Sequence, residues 1–563
     1  MKDITITFED GGSHQVPFGT RASQVLKKHA PFKTDQTSYE ENPVVAITLN
    51  NDMASFSVPL EFSADIRPIR LFSEFGRRIY RHTLCYLLAM ACSRVCPGHH
   101  IVIGHALGDG YYYSFHDDAE VTDDIISRLK AEMQSLASRE LPIRREYFPY
   151  HEAIEKLNAS GLSEAALLLS YINKPKIPMY VCDDYLDVSY EPLLDNTRLL
   201  TVFELQRYKT RGLLLRYPRQ ESIAKIADFK DDPVLFSVYR EYKQWGKILG
   251  VNNVGRLSSL IETKEIRRFI HVSESLHDKK ISRLADQVFD RRNEIKAVFV
   301  AGPSSSGKTT FTRKLGIQLK VLGLEPIMIS LDDYYLPKDQ VPLDHEGKPD
   351  LESLRSLDVR QFNTDLLRLF AGDEVEIPRY DFSTGSRQPA GRKLQLGPES
   401  VLIIEGIHGL NPELTERIPR KQKFQIYISA LTQLNLDDHN RISTTDNRML
   451  RRMVRDHQYR GTNPKKTLEM WPSVHRGEKQ YIFPYQNLAD GVFNSALDYE
   501  LSVLKPYAEP LLKTIKPAHP EYTQARRLLA FIEHFYPIQS YDVPEHSILR
   551  EFIGGSAYYR TDK

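Results

Sequence analysis

The stretch "VFVAGPSSSGKTTFTRKLG", residues 298–316, decides how the second half of this 563-residue chain reads. Apolar residues run into Gly302, and "KTTFTRKLGIQLKVLG" has the pattern of a helix stopped by Gly323. Between them Gly302-Pro303-Ser304-Ser305-Ser306-Gly307-Lys308-Thr309 fits G-x-x-x-x-G-K-[ST] without a gap, and Thr310 carries the cradle into the helix. Each residue type has a physical reason. Glycines let the backbone wrap closely, so successive N–H groups can face phosphate oxygens. The helix N-terminus adds its partial positive charge. Lys308 can reach the β- and γ-phosphates, and the Thr309 hydroxyl can ligate Mg²⁺. The motif and its flanks point to a nucleoside triphosphate.

Working outward, short apolar runs recur at 296–301, 326–331, 400–406 and 423–429, separated by helical patterns. Buried runs alternating with amphipathic helices predict an α/β fold, a parallel sheet covered by helices on both faces. "ISLDDYYLP" (329–337) ends the second run, so Asp332 and Asp333 should emerge at the carboxyl edge beside the cradle. A carboxylate there can orient an acceptor hydroxyl, take its proton, or hold a water on Mg²⁺, which argues for transfer rather than hydrolysis. Glu405, closing "VLIIEG", holds the same position on another strand and is a second candidate for the metal's surroundings. "NRMLRRMVRDHQYRG" (447–461) places Arg448, Arg451 or Arg452, and Arg455 on one helical face, with Asp456 as the only nearby acid. Such a face beside the cradle would neutralise a transferring phosphoryl group.

At this point a resemblance becomes specific. "AGPSSSGKTT", "ISLDDYY", "IPRYDFSTGSR", "VLIIEGIHGL" and "RRMVRD" follow one another as in the uridine kinase/phosphoribulokinase family, over about 295–500. The resemblance implies a P-loop kinase that moves the γ-phosphate of ATP or GTP, with Mg²⁺, to a hydroxyl of a small molecule. Uridine or a related nucleoside is the first expectation. By that match Asp332 is the catalytic carboxylate, with Lys308 and the lid arginines Arg452 and Arg455 beside it. Thr309, Asp332 and Glu405 are implied around the metal, and Tyr335, Glu352, Tyr380, Phe382 and Arg387 around the acceptor. The acceptor pocket departs from the pattern: Glu352 stands where the family has a ribose-binding aspartate, Gly385 replaces a base-contacting histidine, and Thr462 replaces an arginine after the lid's "RG". Another sugar or phosphosugar acceptor therefore stays open.

The first half reads differently. "ITITFEDGGSHQVPFGTRASQVLKKHA" (4–30) resembles a TGS domain, the β-grasp module that opens many threonyl-tRNA synthetases. "RHTLCYLLAMA", "IVIGHALGDGYYYSF" and "YLDVSYEPLL" resemble the α+β editing domain that follows it there. That family's H-x-x-x-H and C-x-x-x-H pairs survive only at His82; Tyr86, Ser189 and Leu193 fill the other places. The resemblance thus implies a retained binding shape with editing chemistry lost. The half is expected to bind RNA or a small ligand and bias the kinase, or to serve as an oligomerisation platform. An RNA-linked switch that hydrolyses nucleotide slowly is the rival from another class.

The organisation expected is therefore 1–70 TGS-like, 71–225 editing-like, 226–293 a helical connector, 294–505 the P-loop kinase region and 506–563 a C-terminal extension. Composition sets bounds. With 41% hydrophobic and 26% charged residues the chain is of soluble globular type. Lys+Arg (75) against Asp+Glu (74) leave a net charge of +1, so no global field draws it to nucleic acid or lipid. The four cysteines are too few for a disulfide framework, and no apolar run is long enough to span a bilayer. A cytoplasmic protein without a membrane partner is expected.

Overall fold

In the computed structural model, residues 3–33, 38–218, 225–381, 384–388 and 391–558 are described. They form two compact units: 1–264 with 433–442 and 509–536, and 265–432 with 443–508 and 537–563.

The first unit opens with a five-stranded sheet, in the order Ser13–Pro17, Asp3–Phe8, Ala64–Arg70, Val44–Leu49, Asp52–Ala54. The first strand alternates inward and outward side chains, and Ile4, Ile6 and Phe8 meet Val25 and Leu26 of the helix Ala22–His29 in a common core. One sheet face covered by one helix is the β-grasp arrangement. A 22-residue helix, Glu74–Val95, follows; the Ser73 hydroxyl accepts from the Gly76 N–H to start it. It is apolar on most sides because it is enclosed, sharing a core with Ile101, Ile103, Tyr113, Leu129, Met133 and Leu213. The hairpin Ile101–Leu107 to Gly110–Phe115 turns through Gly108 and Asp109, both with positive φ (54° and 61°), the mirror-image turn that suits twisted strands. Two further strands complete a four-stranded antiparallel sheet, and a separate three-stranded sheet lies farther along the chain.

Between 226 and 293 the chain forms three helices, Pro233–Leu249, Val254–Glu262 and Ile266–Asp290. The first two belong to the first unit and the third to the second. Segments 433–442 and 509–536, which sequence reasoning assigns to the kinase region and the tail, are packed into the first unit.

The second unit is built on a five-stranded sheet in the order Glu325–Ser330, Ser400–Glu405, Ala297–Ala301, Lys423–Ser429, Gly491–Asn494, every neighbouring pair parallel. Strands Ala297–Ala301 and Lys423–Ser429 are buried along their whole length, as a sheet covered on both faces requires. The chain winds to one side of Ala297–Ala301 and then to the other, so the loop leaving this strand sits where strand order reverses. In such sheets that crevice, at the carboxyl ends, is where ligands bind.

Candidate active site

The loop after Ala297–Ala301 is shaped by close backbone approach. A side chain at Gly302 would place its Cβ 2.2 Å from the carbonyl oxygen of Ile428 on the neighbouring strand. Ser305 (φ 58°) and Gly307 (φ 81°) adopt left-handed conformations that curl the backbone into a concave run of N–H groups. The helix Lys308–Val321 starts directly from Gly307. The hydroxyls of Ser305 and Ser306 are buried on the loop and have no hydrogen-bond partner. Lys308 folds over the loop, its Nζ donating to the carbonyls of Gly302 (2.9 Å) and Pro303 (3.1 Å).

Three carboxylates converge on this lysine. Glu405 closes its strand one residue before Gly406 and accepts from the Thr309 hydroxyl at 3.1 Å through both oxygens. Burial pushes its carboxyl up to about 7, against the pull of Lys308 and with the repulsion of Asp332 and Glu551. Asp332 lies in the one-turn helix Leu331–Tyr334 after the strand Glu325–Ser330. It keeps an open side toward solvent but sits deep among protein atoms, which raise its carboxyl above the usual range; Lys308, Arg460 and Arg455 oppose that rise. Glu352 is pushed up to about 7, first by burial and then by Glu478, while Arg452 and Lys308 pull it down. Lys308 in turn is lowered by burial, with Glu405 and Asp332 acting the other way. Asp333 accepts from the Tyr380 N–H at 3.4 Å, and with Thr309, Ser330, Arg379, Arg392 and Glu405 it lines a cavity of about 350 Å³ beside the loop.

Of the other acceptor residues, Tyr335 and Tyr380 pack together with ring centroids 5.6 Å apart and planes tilted by 48°. Asp332 and Glu352 are both near enough to Tyr335 to raise its phenol further, after burial. Arg387 is engaged with protein: it donates to the carbonyls of Tyr335 (3.1 Å) and Tyr334 (3.3 Å) and to Gln361 (2.7 Å). Phe382 lies outside the described residues.

The arginine helix, Thr444–Arg460, corrects the expectation that its cations lack acidic partners. Arg448 is buried in a two-pronged pair with Glu478, one contact at 2.6 Å, and donates to the Ser304 carbonyl at 3.0 Å. Arg451 is buried against Glu500 and donates to the Ser495 carbonyl at 2.9 Å. Arg452 and Arg455 share Asp456, and Arg452 also donates to the Ser304 hydroxyl at 3.0 Å. The first two arginines buckle the loop to the fold; of the last two, Arg455 acts on Asp332 and Lys308 through its charge, and Arg452 on Glu352. Glu478, Glu500 and Glu551 carry no local sequence signal, since each reaches its partner from 30 or more residues away.

The donor set fits a polyphosphate. Carboxylate oxygens already sit on two of the loop's amides, Glu478 on the Ser304 N–H (3.1 Å) and Glu551 on the Thr310 N–H (3.1 Å), which shows that these donors accept anionic oxygen. A divalent cation would be held by the Thr309 hydroxyl with Glu405 and Asp332 near it. No cluster of three or more His, Cys, Asp or Glu among the described residues forms a metal cage of its own.

In the first unit, His82 is half-buried beside Arg78, Arg81, Arg527 and Glu191, and burial lowers its imidazole to about 3. The Tyr86 hydroxyl donates to the Tyr180 carbonyl, Ser189 donates to the Glu191 carbonyl, and Leu193 is buried. The row Arg77-Arg78 is engaged internally, Arg78 with Glu191 at 2.6 Å and Arg77 with the Phe72 carbonyl at 2.9 Å. All four cysteines are free and buried. No helix among the described residues is long and apolar enough to cross a membrane.

A parallel sheet, a nested loop on its central strand and a facing carboxylate define a P-loop kinase fold. The family model described as Phosphoribulokinase / Uridine kinase family matches residues 297–502. Among solved structures, a possible uridine kinase from Bacillus stearothermophilus is 18% identical, covering 38% of this chain and 98% of that one with a TM-score of 0.25. D-glycerate 3-kinase from Cryptococcus neoformans var. grubii serotype A is 17% identical, covering 45% and 87% with a TM-score of 0.24. The N-terminal half is similar to threonine–tRNA ligases. That of Clostridium tetani (strain Massachusetts / E88) is 27% identical over 203 residues, 36% of this chain. That of Francisella tularensis subsp. novicida (strain U112) is 24% identical over 204 residues. The chain spans 31% of the length of each.

Proposed function

We propose that the second unit transfers the γ-phosphate of ATP or GTP to a hydroxyl of a small molecule, with uridine or a related nucleoside as the acceptor. The observation that carries this reading is the convergence of Lys308, Asp332 and Glu405 at the carboxyl edge of the parallel sheet, where the lysine acts on both acids and both act on it. The loop amides and Lys308 hold the polyphosphate and orient its end. Asp332 accepts the acceptor's hydroxyl proton as the new O–P bond forms and the bond to the departing diphosphate breaks. Burial raises its carboxyl above the usual carboxylate range, which makes it a stronger proton acceptor than a free aspartate. Arg452 and Arg455 face the charge on the moving group. Mg²⁺ bound by Thr309 would neutralise charge on the polyphosphate oxygens. The packed pair Tyr335 and Tyr380 supports a ring-bearing acceptor, and the Glu352 carboxylate supports one that offers hydroxyl donors.

The test incubates the protein with ATP, Mg²⁺ and a panel of nucleosides, sugars and phosphosugars while following ADP release. Strong stimulation by one acceptor, lost in Lys308→Ala and Asp332→Asn, supports the reading. Turnover indifferent to every acceptor but responsive to tRNA overturns it in favour of an RNA-linked switch, the role the synthetase-like half would then supply.

A further inference from the structure

The segment "SILREFIGGS", residues 547–556, has no part in the chemistry above, yet it closes on the loop. It is anchored as a structural element. Ile548, Leu549 and Phe552 are fully buried, and the Phe552 ring lies 4.9 Å from the Arg451 guanidinium. The helix Lys308–Val321 holds it from both ends: Lys314 donates to the His546 carbonyl (3.1 Å) and Arg313 to the Tyr558 carbonyl (2.6 Å). Ile548 presses against Gly307, where a Cβ would meet its side chain at 2.5 Å.

What this strap delivers is a charge. A single oxygen of Glu551 accepts from the Thr310 N–H at 3.1 Å and from the Thr310 hydroxyl at 2.9 Å, in a buried setting. Thr310 is the third residue of the helix, so its N–H is one of the four that lack an intrahelical partner. In a loop of this type those amides are the ones that cradle phosphate. A carboxylate on an ordinary helix N-terminus is a common stabilising contact. Here it stands in the anion seat itself, and its charge reaches both Lys308 and Glu405. Two anions cannot share one pair of donors.

We propose that the C-terminal segment is an autoinhibitory strap whose Glu551 carboxylate occupies a phosphate position of the loop, so that a nucleotide must displace it to bind. This rests on the triphosphate reading of the loop given above. Displacement costs binding energy, and anything that draws the segment away would raise nucleotide affinity without touching the loop.

The experiment measures binding of ATP, inorganic triphosphate and adenosine by calorimetry to the full chain, to Glu551→Gln and to Lys308→Ala, with the melting temperature of each. Gln keeps an oxygen acceptor for Thr310 and removes the charge. The expected result is ATP and triphosphate binding about tenfold tighter to Glu551→Gln than to the parent, adenosine unchanged, and a slightly lower melting temperature without ligand. ATP binding to Glu551→Gln that is equal to or weaker than the parent's overturns the strap and makes Glu551 a helix cap. ATP bound no better by the parent than by Lys308→Ala overturns the triphosphate reading, and the strap with it.

Discussion

In the proposed transfer Lys308 and Asp332 do different work, and single substitutions should separate them. Lys308→Ala removes a charged donor from the polyphosphate and should weaken ATP binding by about a hundredfold. Asp332→Asn keeps the shape and loses the proton acceptor. Turnover should fall by about 10²- to 10⁴-fold with ATP affinity nearly unchanged, as ADP release and calorimetry would show. Both residues were legible in the sequence because their signals are local: a spaced glycine pair before a lysine, and an acid pair ending an apolar run. Glu478 and Glu551 were not, because they reach the loop from 174 and 241 residues away and lie in helices with ordinary charge patterns. Arg387 is a different case. The resemblance implies a substrate contact, and its guanidinium is held by the carbonyls of Tyr334 and Tyr335, by Gln361 and by Asp358, contacts that no local sequence signal announces.

At the scale of the element, the loop and the arginine helix behave as one clasp. Glu478→Gln would leave Arg448 buried without its counter-charge and should cost about 3 to 5 kcal/mol, read as a lower midpoint in denaturant. Gly307→Ala meets both a positive φ and the Ile548 side chain, and should cost about 1 to 3 kcal/mol in the same assay. The arginine row was visible from the sequence as a helical face, but periodicity reports which residues share a face and not what covers it. The covering acids come from the helix Pro464–Tyr481 and from Glu500. A basic face that reads as a free anion site was half occupied by the fold itself. The parallel sheet was more legible, since each strand is a contiguous apolar run.

For the molecule as a whole, pH acts on the first unit through a buried cluster. His439 lies 2.6 Å from Asp187. Burial lowers its imidazole, but Asp187 outweighs this and holds it up at about 9 from an ordinary 6.5. A raised histidine stabilises fully below pH 6.5 and loses that contribution as pH climbs through 9. Asp437, pushed up from an ordinary 3.8 to about 7 by burial, works in the same sense in a lower window, its contribution falling as pH rises through that range. The melting temperature should therefore drop between pH 7 and 9.5, by at most about 3 kcal/mol in stability, and His439→Gln should flatten the drop. Nothing in "NLDDHNR" marks this histidine from the sequence alone, because its partner comes from 252 residues away.

The patchwork make-up of the first unit has a consequence for how the chain is made. Its polypeptide is handed between units after residues 264, 432, 442, 508 and 536. Asn435 donates to the Ile103 carbonyl, Arg527 joins Glu191, and Thr523 donates to the Asn51 carbonyl. A ribosome releases the amino-terminal residues first, yet the pieces that complete their packing follow only after residues 265–432 have been made. The first-born half must wait, partly unfinished, for segments 433–442 and 509–536. A gene fragment ending at 264 should accordingly yield a protease-sensitive product, while the intact chain resists digestion.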